Sequence, residues 1–129
     1  MATLDHFEYD EFGVKHALWR SDTVNARLAT TFAPSERAAA SVLLSGLVGD
    51  DPSGDAEVTE LVTCRMMLAA LKVSEGDLAK LSLWVQAAHL DPRDLIAAAE
   101  YHRELHDASE TARQQDLAEY VMWASGGGN

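Results

Sequence analysis

The sequence predicts an all-α domain, and three observations carry that prediction. Alanine (21) and leucine (16) far outnumber valine (9) and the single isoleucine, Ile96. Ala and Leu lose little side-chain freedom in a helix, whereas strands favour β-branched and aromatic residues. Apolar residues recur at three- and four-residue spacing through most of the chain, and helix-start signals punctuate it, Ser74-Glu75-Gly76-Asp77 and Leu90-Asp91-Pro92 above all. The 129 residues suffice for one core and not for two. The expected architecture is a compact orthogonal bundle of five to six helices, with a helix-turn-helix-like corner near residues 75–106. It divides into a short irregular N-terminal arm (1–13), one helical domain (14–125) and a flexible glycine tail (126–129).

The arm interleaves Leu4, Phe7, Tyr9 and Phe12 with Asp5, Glu8, Asp10 and Glu11. It reads as a short alternating strand or as a segment laid over the bundle. Val14, Ala17, Leu18, Val24, Leu28 and Phe32 keep helical spacing, interrupted at Ser21-Asp22-Thr23, so a short helical turn precedes a helix from about Asp22. Ser35 opens the next segment after Pro34. Its inward stripe is Ala39, Val42, Leu43, Gly46 and Leu47, and Gly49 closes it.

Residues 50–54 form a loop, and Asp55 caps a helix running to about Leu71. Apolar side chains cover most of the circumference of its C-terminal half, which marks it as the central element. Ser74 with Asp77 at N3, and Val73 with Leu78, form a capping box and staple for a helix over about 75–89. That helix is buried through Leu78, Leu81, Val85 and Ala88, with Trp84 beside the stripe. Pro92 at N1, and Leu90 stapled to Leu95, start a helix over about 93–106, with Leu95, Ala98, Ala99, His102 and Leu105 inward. Asp107 or Ser109 caps the last helix, anchored by Leu117, Tyr120, Val121 and Ala124 to about residue 124.

Twenty-one acids against ten bases leave a net charge of −11. Such a field repels nucleic acid and anionic lipid, so no direct nucleic-acid or membrane partner is expected. No apolar run approaches the ~20 residues of a membrane span, and the first residues lack the pattern of a secretory signal. A lone cysteine, Cys64, excludes an internal disulfide framework and fits a reducing, cytoplasmic setting. Mid-helix beside Leu61, Leu68 and Leu71, it reads as a buried, inert thiol.

The acids are spread along the chain, with two concentrations. Asp5, Glu8, Asp10 and Glu11 form one; Asp50, Asp51, Asp55, Glu57 and Glu60 form the other, with no base among residues 50–60. These nine residues are the expected contact surface for a basic protein partner, approached through electrostatic steering. The function expected is a non-catalytic binding or regulatory protein, in one form an inhibitor that mimics the charge of nucleic acid. Trp19, Trp123, Met122 and the Phe7/Tyr9/Phe12 arm offer aromatic surface for a homodimer, or ordinary core.

Two alternatives compete. His102 and His106 stand at i, i+4, a spacing that lets one helix face hold a metal ion or small ligand. Glu104 lies about 200° around the helix from His102, so the zincin arrangement fails. The corner at residues 89–93 has a helix-turn-helix outline, whose reading face would hold Arg93, Ala97, Glu100 and Glu104, with Tyr101 at its edge. One base against two acids would leave DNA contact dependent on a partner or dimer. The loop 50–57 fails as a calcium loop because Ala56 or Pro52 falls at an essential position. There is no GxxxxGK(S/T), GxGxxG or GxSxG motif, and no catalytic residue or cofactor is expected.

Overall fold

The structure, a computed structural model, describes residues 11–47 and 54–126, with side chains from residue 15 onward. Among the described residues every regular element is a helix: α1 Glu11–Leu18, α2 Ser21–Thr31, α3 Pro34–Leu44, α4 Ala56–Ser74, α5 Leu78–Leu90, α6 Pro92–Glu100 and α7 Glu110–Ala124. The all-α expectation holds. Among the described residues there are seven helices where five or six were expected, because the short turn before Asp22 is a helix in its own right, starting at Glu11 within the stretch read as an arm. No described helix is long and apolar enough to cross a membrane.

Helix α4 is the centre, packed on α2, α5 and α6. Leu68, Ala69, Ala70 and Leu71 are each fully buried. Four consecutive inaccessible positions exceed one helix stripe, so this stretch is enclosed on all sides. Phe32, Leu47, Leu81, Leu95 and Tyr120 complete the core around it, and Trp19 is 3% exposed, core rather than interface.

The caps explain where helices begin. Asp55 accepts from the amides of Glu57 and Val58, Asp91 from that of Arg93, and Ser109 from that of Ala112. Asp91 ends α5 and starts α6, so a single residue forms their junction. Ser74 is not the cap of α5. It remains inside α4, its hydroxyl donating to the Leu71 carbonyl, and Asp77 caps α5 through the amides of Ala79 and Lys80. The reversal between them uses Glu75 at φ 53° and Gly76 at φ 79°.

Other expectations fail for identifiable reasons. Helix α3 buries Ala40 and Leu44, followed by Leu47, and leaves Val42 71% exposed, one residue out of phase with the expected stripe. Continuous apolar runs at 38–40 and 42–44 permit both phases. Leu90 is 91% exposed, so it makes no staple with the buried Leu95. Helix α6 stops at Glu100 instead of continuing to His106, and Leu105 is exposed. Both oxygens of Asp116 on α7 accept from the amide of Arg103, and one accepts also from that of Glu104. A side chain thus takes donors that a longer α6 would have turned to its own carbonyls.

Candidate functional site

Two polar clusters join the helices, one around a buried carboxylate and one partly exposed, and exposed acids lie at the start of α4. The first cluster centres on Glu100, the last residue of α6, which is fully buried. Arg65 of α4 grips it with Nε and Nη2, each 3.0 Å from one carboxylate oxygen. Lys15 of α1 approaches the same carboxylate at 3.5 Å and sits 4.0 Å over the Tyr101 ring. The Arg65 guanidinium lies 4.4 Å from the Trp19 ring centre, and Trp19 Nε1 donates to the Tyr120 hydroxyl at 2.9 Å. Charged, aromatic and hydrogen-bonded groups from α1, α4, α6 and α7 therefore interlock, and burial pushes the Tyr120 hydroxyl pKa well up. Glu100 is thus no part of an exposed reading face.

In the second cluster His102, Asp116 and Glu119 bring ligand atoms within 4.8 Å of one another. His102 Nε2 lies 2.5 Å from Glu119 Oε2 and 3.5 Å from Asp116 Oδ1. Arg103 Nη1 stands among them, 3.2 Å from Asp116, 3.1 Å from Glu119 and 3.3 Å from His102. Lys72 reaches Glu119 at 3.5 Å. Burial pushes the Glu119 carboxyl pKa up, but the His102 bond, the Lys72 charge and the Arg103 bond outweigh it, leaving it at about 2. Positive charge from Arg103 and Lys72 already meets these carboxylates, and Asp116 is also spent on backbone amides. The arrangement ties residues 102–104 to α7 and requires no ion for charge balance. His106, the other expected ligand, is exposed, and the helix that would stack it over His102 has ended at Glu100.

Of the nine acidic residues expected to meet a partner, Asp55, Glu57 and Glu60 are exposed on the start of α4. Glu57 and Glu60 join Asp22 around a depression of about 470 Å³, with Arg20 and His16 on its rim. Asp5, Glu8, Asp10, Asp50 and Asp51 lie outside the described residues, as does the Glu11 side chain. The face assigned to DNA reading keeps Arg93, Ala97 and Tyr101, which with Arg65 and His89 line a cleft of about 670 Å³. Glu104 lies beyond the end of α6. Cys64 is buried, and its thiol pKa is raised by burial and by Glu60, an unreactive setting.

Sequence reasoning missed Lys15, Arg65, Asp116 and Glu119, and placed Glu100 on an exposed face. For Asp116 the signal was present: Ala112, Asp116, Tyr120 and Ala124 follow i+4 spacing on the inward face of α7, and a carboxylate on such a stripe needs a partner. Glu100 carried no comparable mark, since its burial depends on α1 and α4. No protein-family model, curated protein or solved structure matches this chain.

Proposed function

We propose that this chain is a non-catalytic binding protein whose acidic outer shell engages a basic protein partner. The observation that carries the reading is the sorting of charge by depth. Buried and half-buried positions hold six acids and six bases, whereas exposed positions hold nine acids and four bases. Three of those four exposed bases, Lys80, Arg93 and Arg113, already lie beside Glu75, Asp91 and Glu110. Folding uses the bases internally and leaves the surplus carboxylate charge outermost among the described residues. An acidic surface of this kind attracts basic proteins at long range, including those whose basic surface otherwise takes nucleic acid.

Asp22, Glu57 and Glu60 around their depression are the contact residues on the described part of the surface. The test is capture of basic proteins from extract on the immobilised full chain and on an Asp22→Asn/Glu57→Gln/Glu60→Gln variant. The expected result is retention of high-pI proteins in dilute buffer, release near about 0.5 M salt, where the screening length falls to a few ångströms, and weak retention by the variant. Retention that survives molar salt, or that the triple change leaves untouched, overturns the reading.

A further inference from the structure

Arg27 on α2 is only 8% exposed, yet it is scarcely satisfied. Its Nη1 donates to the Trp123 carbonyl at 3.3 Å, while Nε is buried with no acceptor. A guanidinium carries five N–H donors, and no carboxylate among the described residues pairs with this one. The carbonyl at the end of α7 supplies a fraction of a negative charge, not a whole one. A cation buried to this depth without a counter-ion is a standing cost to the fold.

The same side chain lines a cavity of about 420 Å³ between α2, α4 and α7, within the range of small-molecule sites. Leu71, Met122 and Trp123 give it apolar walls, and Lys72, Glu75 and Glu119 give it charge. Both carboxylates are already matched, Glu119 by Lys72 at 3.5 Å and Glu75 by Lys80 at 3.0 Å. Arg27 is the surplus. With Nη1 committed to Trp123, its remaining edge is Nε with Nη2, the edge with which Arg65 grips Glu100. Gly126 at φ 83° lets the backbone approach the guanidinium closely: a Cβ there would lie 3.0 Å from Arg27 Nη2.

We propose that this cavity binds a small organic monocarboxylate, its carboxylate held by the Arg27 guanidinium through Nη2 and its apolar body against Leu71, Met122 and Trp123. One negative charge would meet Arg27, the cation here that no described carboxylate pairs. A phosphate dianion would bring a second charge beside Glu75 and Glu119, within a chain of net charge −11. This site lies apart from the acidic face and does not depend on a basic partner.

The experiment titrates the full chain with benzoate, with benzyl alcohol as its uncharged counterpart and with inorganic phosphate, following arginine Nε–H resonances by NMR. Benzoate is expected to saturate and to shift the Arg27 Nε–H signal. Benzyl alcohol and phosphate are expected to bind at least about tenfold more weakly, the worth of a charge-assisted bond. Arg27→Gln is expected to weaken benzoate by about tenfold or more, and Arg27→Met to raise the melting temperature of the ligand-free protein while abolishing the benzoate-induced rise. Benzoate that moves only exposed arginine signals, an affinity that Arg27→Gln leaves unchanged, or phosphate binding more tightly than benzoate overturns the assignment. The Arg27 signal of the unaltered protein decides the matter even if a variant does not fold.

Discussion

Arg65 and Glu100 form a two-point fork in the interior, each carboxylate oxygen 3.0 Å from one guanidinium nitrogen. Lys15, 2% exposed at its side chain, adds a second cation to the same carboxylate. Glu100→Gln would leave the buried Lys15 and the part-buried Arg65 facing a neutral amide. The expected loss is about 3–5 kcal/mol, since removing one partner of a buried pair strands the other. Replacing all three by apolar residues of similar volume, Lys15→Met/Arg65→Met/Glu100→Leu, should recover most of that loss. Urea unfolding checks both: the midpoint falls sharply for the single change and far less for the triple. Equal losses would mean that the cluster supplies net stability beyond mutual compensation.

The Glu119 carboxyl predicts an acid limb in the stability profile. Its pKa of about 2 lies below the ordinary glutamate value near ~4.3, so the folded state holds the ionised form more firmly than the unfolded chain does. The stabilisation is therefore complete above the ordinary value and is lost as pH falls through about 2. In Glu119→Gln this contribution is absent. The stability difference between the two proteins should be constant near neutrality and shrink on acidification across that window. A difference that stays flat down to the acid end would show that His102, Lys72 and Arg103 do not hold the carboxylate in solution.

The helices were legible in the sequence because their signals are local. Asp55, Asp91 and Ser109 each carry a cap that a few residues of sequence suffice to recognise. The central position of α4 follows from the apolar density of residues 66–71. The end of α6 was not legible: its continuation is suppressed by Asp116, a side chain thirteen residues beyond Arg103 on another helix. Lys15 and Glu100 look in sequence like solvent-facing charges, and only the meeting of α1, α4 and α6 places them together inside. Arg27 was invisible for the opposite reason, since what marks it is the lack of a paired carboxylate among the described residues.

Trp19 and Tyr120 share a buried hydrogen bond of 2.9 Å with the indole as donor. Tyr120→Phe removes the acceptor and leaves the Trp19 N–H unsatisfied beside a fully buried ring, at a cost of about 1–3 kcal/mol. The same tyrosine sets an alkaline limit. Its pKa is raised by burial first and by Glu100 second, so the folded protein resists ionisation that the unfolded chain accepts near ~10. Stability is full below that value and falls as pH climbs above it. Ultraviolet titration should show the Tyr120 hydroxyl ionising only as the protein unfolds. In Tyr120→Phe the alkaline loss should be reduced, and an unchanged alkaline profile would count against the burial of this hydroxyl.

Gly76 and Gly54 separate two effects that substitutions at glycine usually mix. Both have left-handed backbones, φ 79° at Gly76 and φ 76° at Gly54. A Cβ at Gly54 meets nothing within 4 Å, whereas at Gly76 it would stand 2.8 Å from the carbonyl oxygen of Thr31. Gly54→Ala should therefore cost only the conformational penalty, about 1 kcal/mol. Gly76→Ala adds a clash with backbone that cannot rotate away, so α2 must shift from the turn joining α4 to α5. The expected loss exceeds that of Gly54→Ala by about 1 kcal/mol or more, the usual cost of overfilling a close contact. Chemical denaturation of the two variants measures the difference directly, and equal losses would mean that the approach of Thr31 to Gly76 is looser in solution than 2.8 Å implies.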